Sequence, residues 1–134
     1  MNTIRQSWGA NAKVIVTFNG NLEDVGKVIA SEMGITTFMV DTDQDPPHEE
    51  FSSCEALGFD IIIRKKEYNK SNQFLIEFET ESCVDEIFND RMYDISVWMA
   101  RYISEICELE TYAVDLASNT VIMCFENGKL ADEV

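Results

Sequence analysis

FDIIIRKKEYNKSNQFLIEFET, residues 59–80, holds two apolar runs on either side of a polar Asn-Lys-Ser-Asn break. Runs rich in β-branched and aromatic residues that flank such a break form antiparallel strands. The pattern predicts strands over 59–68 and 73–80 with a four-residue loop at Asn69 to Asn72. In the second run Glu77, Glu79 and Glu81 alternate with Phe78 and Thr80. All three carboxylates therefore share one face, ~6.6–6.8 Å apart at the rise of an extended strand. The simplest register sets Arg64 opposite Glu77, with Lys65, Lys66 and Lys70 nearby, and so answers one carboxylate across the strands.

Working outward, KVIVTF (13–18) reads as a further strand, and Asn19-Gly20-Asn21 turns the chain. Asn21 is placed to cap a helix over 22–33, whose Leu22, Val25, Ile29 and Met33 fall on one face, and Gly34 is its expected terminator. A strand over 35–40 follows, then a loop over 41–50 and a helical turn over 51–57. Downstream, 82–89 is ambiguous between a helical turn and irregular chain. The clearest helix spans 95–109, capped by Asp94. Its apolar stripe is Ile95, Trp98, Met99, Tyr102, Ile106 and Leu109, which puts Trp98 in the core; Ser96, Arg101, Ser104, Glu105 and Glu108 face away. Strands over 111–116 and 120–125 close a terminal hairpin around Ala117-Ser118-Asn119. A weak echo relates Thr37-Phe38-Met39-Val40-Asp41 to Thr111-Tyr112-Ala113-Val114-Asp115, each after an amphipathic helix. The fold expected is α+β: a two-layer sandwich, a mixed sheet of about five to six strands with two main helices on one face. One domain covers 1–134, with 1–12 a loosely ordered lead-in and 126–134 a frayed tail.

The composition is strongly acidic: 25 Asp and Glu against 10 Lys and Arg, a formal charge of −15 on 134 residues. Hydrophobic residues make up 46%, which separates the chain from disordered acidic tails and supplies a core to offset the repulsion. A surface of this sign repels nucleic acid and anionic membranes and attracts basic partners. No run approaches the roughly 20 apolar residues of a membrane span, and residues 1–13 lack the apolar run of a secretory leader. Cys54, Cys83, Cys107 and Cys124 form no C-x-x-C pair, so they read as reduced thiols of a cytoplasmic protein.

Asp41, Asp43 and Asp45 imitate the start of a calcium loop, but Pro46 stands where that loop needs Gly, and Ser52 where it needs Glu. His48 lies near Cys54 without an orienting third group, and its neighbours Glu49 and Glu50 favour the charged imidazolium, a poor resting base. No glycine loop able to cradle phosphate occurs. The reading is therefore a non-enzyme with no catalytic residue, no metal site and no cofactor. Two acidic stretches remain. Residues 41–50 hold five acids and no Lys or Arg, and residues 77–94 hold seven acids against Arg91. Ordinary surfaces intersperse both signs. The partner-binding residues expected are Asp41, Asp43, Asp45, Glu49, Glu50, Glu79, Glu81, Asp85, Glu86 and Asp90.

With its small size, acidity and YDISVWMARYISEICELETYAVD segment (93–115), an amphipathic helix running into a strand, the chain resembles bacterial immunity proteins. Those of contact-dependent growth inhibition and other polymorphic toxin systems are the group meant. The resemblance covers about a fifth of the chain and assigns no functional residue. It implies a cytoplasmic inhibitor that binds a cognate toxin, commonly a basic nuclease domain, and blocks its substrate site. The alternatives are a small metal-dependent regulator or enzyme built on the 41–50 loop, and a nucleic-acid mimic that inhibits a host DNA-binding enzyme.

Overall fold

A computed structural model describes residues 9–35, 39–42, 44, 50–56, 59–67, 70–80 and 92–131. In chain order the elements are β1 (Gly9–Thr17), α1 (Leu22–Glu32), β2 (Met39–Thr42), β3 (Glu50–Ala56), β4 (Phe59–Glu67), β5 (Lys70–Thr80), β6 (Met92–Asp94), α2 (Ser96–Cys107), β7 (Glu110–Asp115), β8 (Thr120–Glu126) and β9 (Lys129–Leu130). One sheet runs β2-β3-β4-β5-β1-β7-β8-β9, with β6 alongside β1. The β1–β6 pair is parallel and the other seven pairings are antiparallel. The fold is thus α+β with a mixed sheet, and among the described residues that sheet has nine strands rather than five or six.

The extra strands come from stretches whose local signals pointed elsewhere. Where a helical turn was expected over 51–57, Glu50–Ala56 is instead β3, paired with β4 from Phe51↔Arg64 to Ala56↔Phe59. Isoleucine-rich β4 would otherwise present an open ladder, and pairing overrides the weak local preference of a Ser-rich run. Residues 9–12 of the lead-in belong to β1. Its Asn11 and Ala12 pair with Glu79 and Phe78, and Ala12 is buried. The tail likewise joins the sheet, where β9 pairs with β8 through Phe125↔Leu130. The β4–β5 hairpin is tighter than a four-residue loop, with Glu67 paired to Lys70 and a register shift after Lys65. Of the second expected strand, Met39 and Val40 lie in β2, which continues through Asp41 and Thr42; residues 36–38 lie outside the described residues. The possible turn at 82–89 lies outside the described residues, as do Thr37 and Phe38 of the echo.

The pleat sorts side chains into two faces. Ile61 and Ile63, Phe74, Ile76 and Phe78, Ala12, Val14 and Val16, and Ala113 and Phe125 point one way. They form a single core with Leu22, Val25 and Ile29 of α1 and Met99, Ala100 and Ile103 of α2. Both helices therefore cover one face. The side chain of Asn21 caps α1 by accepting from Asp24 N at 2.8 Å. Gly34 ends the helix at φ +72°, where the Ile35 amide donates to the Ala30 carbonyl at 2.8 Å. No helix among the described residues is long and apolar enough to cross a membrane.

Helix α2 is rotated from its expected stripe. Ser96, Met99, Ala100, Ile103 and Ser104 are buried, whereas Trp98 is 60% exposed and stacks on Tyr102 at 5.5 Å. Small residues at 96, 100 and 104 lie on one helix face and let the backbone approach the sheet. There the Thr111 hydroxyl donates to the Ala100 carbonyl at 2.7 Å. The serines are satisfied in place, Ser96 Oγ accepting from Lys13 N at 2.9 Å and Ser104 Oγ from Gly128 N at 2.8 Å. Asp94 is not the cap residue expected: the helix starts one residue later, at Ser96, with Ile95 at the N-cap position and no side-chain cap bond, and Asp94 instead accepts from Ser96 N at 2.9 Å.

A candidate acidic interface on the open sheet face

The side chains that point away from the core lie on a face that, among the described residues, no helix covers. Cross-strand pairing arranges them in rows. One row contains Asp41, Phe51, Arg64, Leu75, Ile15, Tyr112 and Cys124. It is largely apolar, with Ile15 and Cys124 buried and the Arg64 guanidinium 4.9 Å over the Phe51 ring. The next row contains Ser53, Ile62, Glu77, Lys13 and Val114.

Beyond these lies a row of a different kind. Glu55 pairs with Asp60, Asp60 with Glu79, Glu79 with Asn11, and Asn11 with Asp94. Four carboxylates thus share one lateral line, three on successive strands at the ~4.7–4.9 Å interstrand spacing and Asp94 two strands beyond Glu79. All four residues are exposed. Among the described residues, Glu55, Asp60 and Glu79 have no salt-bridge partner. Like charges directly opposite one another destabilise a sheet, so both the Glu55–Asp60 and Asp60–Glu79 pairs oppose folding. Asp94 differs, since one of its oxygens accepts from Ser96 N and Oγ and the other from Leu116 N at 2.9 Å. Two shallow depressions flank the line and share Glu79. One, of about 350 Å³, is lined by Glu55, Asp60 and Ile62 among others. The other, of about 500 Å³, is lined by Asn11, Glu77, Asp94 and Asp115 among others. Hydrogen bonds from Ser118 hold the Asp115 carboxyl below its ordinary range, so it stays ionised.

Of the ten expected partner residues, the structure places three. Glu79 sits at the centre of the acid row, with Glu77 two residues away on the same face as expected. Asp41 lies on the same face at edge strand β2, whereas Glu50 points to the opposite one. Asp43, Asp45, Glu49, Glu81, Asp85, Glu86 and Asp90 lie outside the described residues. The expected Arg64–Glu77 pairing is not the observed register: Arg64 is opposite Leu75, and Glu77 lies between Ile62 and Lys13. The tighter hairpin shifts the pairing by two residues. Glu55 and Asp60 were missed. Recognising 50–56 as a strand paired with the one that starts at Phe59 would have set the two carboxylates opposite one another.

The remaining reactive groups are quiet. Cys54 on the core face of β3 and Cys124 on the open face of β8 are five strands apart, about 24 Å at the usual interstrand spacing. They cannot share a tetrahedral ion. Among the described residues no group of three or more His, Cys, Asp or Glu is arranged to hold a metal ion. Burial pushes up the thiols of Cys54 and Cys124, and that of Cys107 to about 12, with Glu32 assisting. Tyr112 is raised too, chiefly by donating to Glu110. Each raised group keeps its proton in the folded state after the unfolded chain has lost it. The stability that these groups contribute is therefore complete below pH 9 and declines towards pH 12. Urea midpoints should fall across that window, and Cys107→Ala should flatten part of the slope; a level midpoint would remove this linkage.

Comparison with known protein families, curated proteins and solved structures finds no match to this chain.

Proposed function

We propose that the chain is an acidic inhibitor that binds and neutralises a basic protein partner. The class that fits best is a toxin nuclease domain, as in bacterial immunity systems, with the inhibitor acting in the cytoplasm. The observation that carries this reading is the Glu55–Asp60–Glu79 line, in which like charges stand directly opposed across three strands. The arrangement opposes folding, and a cationic partner relieves it. A nuclease presents Lys and Arg to phosphates, so its cleft is a positive target. The carboxylates occupy that cleft or its rim and exclude the substrate, with charge setting the rate of encounter.

The test is capture on the immobilised protein from its own host, followed by association kinetics against ionic strength. The expected result is a basic protein whose nuclease activity is lost on binding. Its association should slow by ~10–1000-fold from low to high salt. A salt-independent rate, or an acidic partner, would overturn the reading. The same capture distinguishes a toxin from a host DNA-binding enzyme, the target of a nucleic-acid mimic.

A further inference from the structure

We propose that the solvent face of α2 is a dimer interface, on which a second copy of this chain packs its own α2 antiparallel across a two-fold axis. This face belongs to the helix layer, on the side of the sheet away from the acid row, so the proposal stands apart from the acidic-inhibitor reading. Trp98, Arg101 and Tyr102 lie within five residues of one another on α2. Trp, Tyr and Arg are the residue types that carry most of the energy at protein interfaces. Trp98 is 60% exposed, and its ring lies 4° from parallel to that of Tyr102. An exposed aromatic slab already held in one geometry gives up little entropy on docking.

The way this face is divided selects its occupant. Residues four apart stack along a helix. Trp98, Tyr102 and half-buried Ile106 therefore form one flank, and Arg101 and Glu105 form the other. A two-fold axis between antiparallel helices sets each flank against its own counterpart. The aromatic flank then meets itself, and Arg101 of each copy meets Glu105 of the other. A parallel pair would instead lay the charged flank on the aromatic one. Within one copy both charges are unanswered: among the described residues neither Arg101 nor Glu105 forms a salt bridge. Both are placed by Gly128. Arg101 Nε donates to the Gly128 carbonyl at 2.9 Å, which leaves the terminal N–H donors of the guanidinium for a carboxylate. Glu105 lies over the same glycine, where an added Cβ would meet its Cβ at 3.0 Å. Two copies of charge −15 repel at long range, and salt screens that repulsion. Exposed Arg–Glu pairs are worth little enough that screening them costs less than it returns. The contact therefore strengthens as salt rises, the reverse of the capture of a basic partner.

Sedimentation equilibrium of the full chain tests this. The dimer dissociation constant should fall by ~3-fold or more from low to high salt. Trp98→Ala should raise it at least ~10-fold, the loss expected of an interface hot spot. Arg101→Glu alone and Glu105→Arg alone should each raise it by a similar ~10-fold, since each sets like charges against one another across the axis. An equimolar mixture of these two variants should recover the dimer, because one copy then carries only carboxylates on that flank and the other only cations. Net charge cannot account for that recovery, since the two changes are equal and opposite. A monomer under all conditions would leave the face to a different protein and overturn the proposal. A dimer indifferent to Trp98→Ala, or a mixture that stays monomeric while the unaltered chain dimerises, would overturn it as well. None of these results bears on the acidic-inhibitor reading.

Discussion

Phe78→Ala will cost about 3–5 kcal/mol and bring the domain to the edge of folding. Phe78 is 1% exposed and lies between Ile61 on one neighbouring strand and Ala12 on the other. Its ring meets Phe59 edge-to-face at 6.1 Å. With only a methyl group at Ala12, the cavity left by truncation has little to fill it from that side. A domain of this kind holds only ~5–15 kcal/mol in total, so the urea midpoint should drop sharply. Trp98→Ala, on a larger side chain, should change stability by under ~1 kcal/mol because its ring is mainly in solvent. A cost for Phe78 below that of Trp98 would refute the assignment of core and surface.

Asp60→Lys will slow association with the basic partner by at least ~10-fold at low salt. Asp60 lies opposite Glu55 on one side and Glu79 on the other, so it is the middle of the line. Reversing its charge changes the local field by two units at the point where three strands contribute. It also gives both neighbouring carboxylates a cation within the sheet, which competes with the partner's. The effect should shrink as salt rises and the Debye length falls below the width of the row. An association rate equal to that of the unaltered protein would place the partner elsewhere.

How far the sequence foretold this follows from which signals were local. Helix α1 was legible to its ends because Asn21 and Gly34 act within the first and last turn. The β4–β5 and β7–β8 hairpins followed from apolar runs around polar breaks. β3 escaped because EFSSCEA has little intrinsic preference and becomes a strand only by pairing with β4. The rotation of α2 was hidden for a related reason: Ser96 and Ser104 are buried only because Lys13 N and Gly128 N, distant in sequence, satisfy their hydroxyls. The alternation of Glu77 and Glu79 correctly marked one acidic face. The row itself depends on the registers of four strand pairs, and a pairing error of two residues, such as that at Arg64, scrambles it. Charge was legible as a total; its alignment was a property of the sheet.

An acid row kept against the interest of the fold should show in the thermal melting of Asp60→Lys. The substitution turns two opposed like-charge pairs into two opposite-charge pairs, each worth ~0.2–1 kcal/mol. Its melting temperature should lie about 2–6 °C above that of the unaltered protein. An unchanged or lower melting temperature would contradict it.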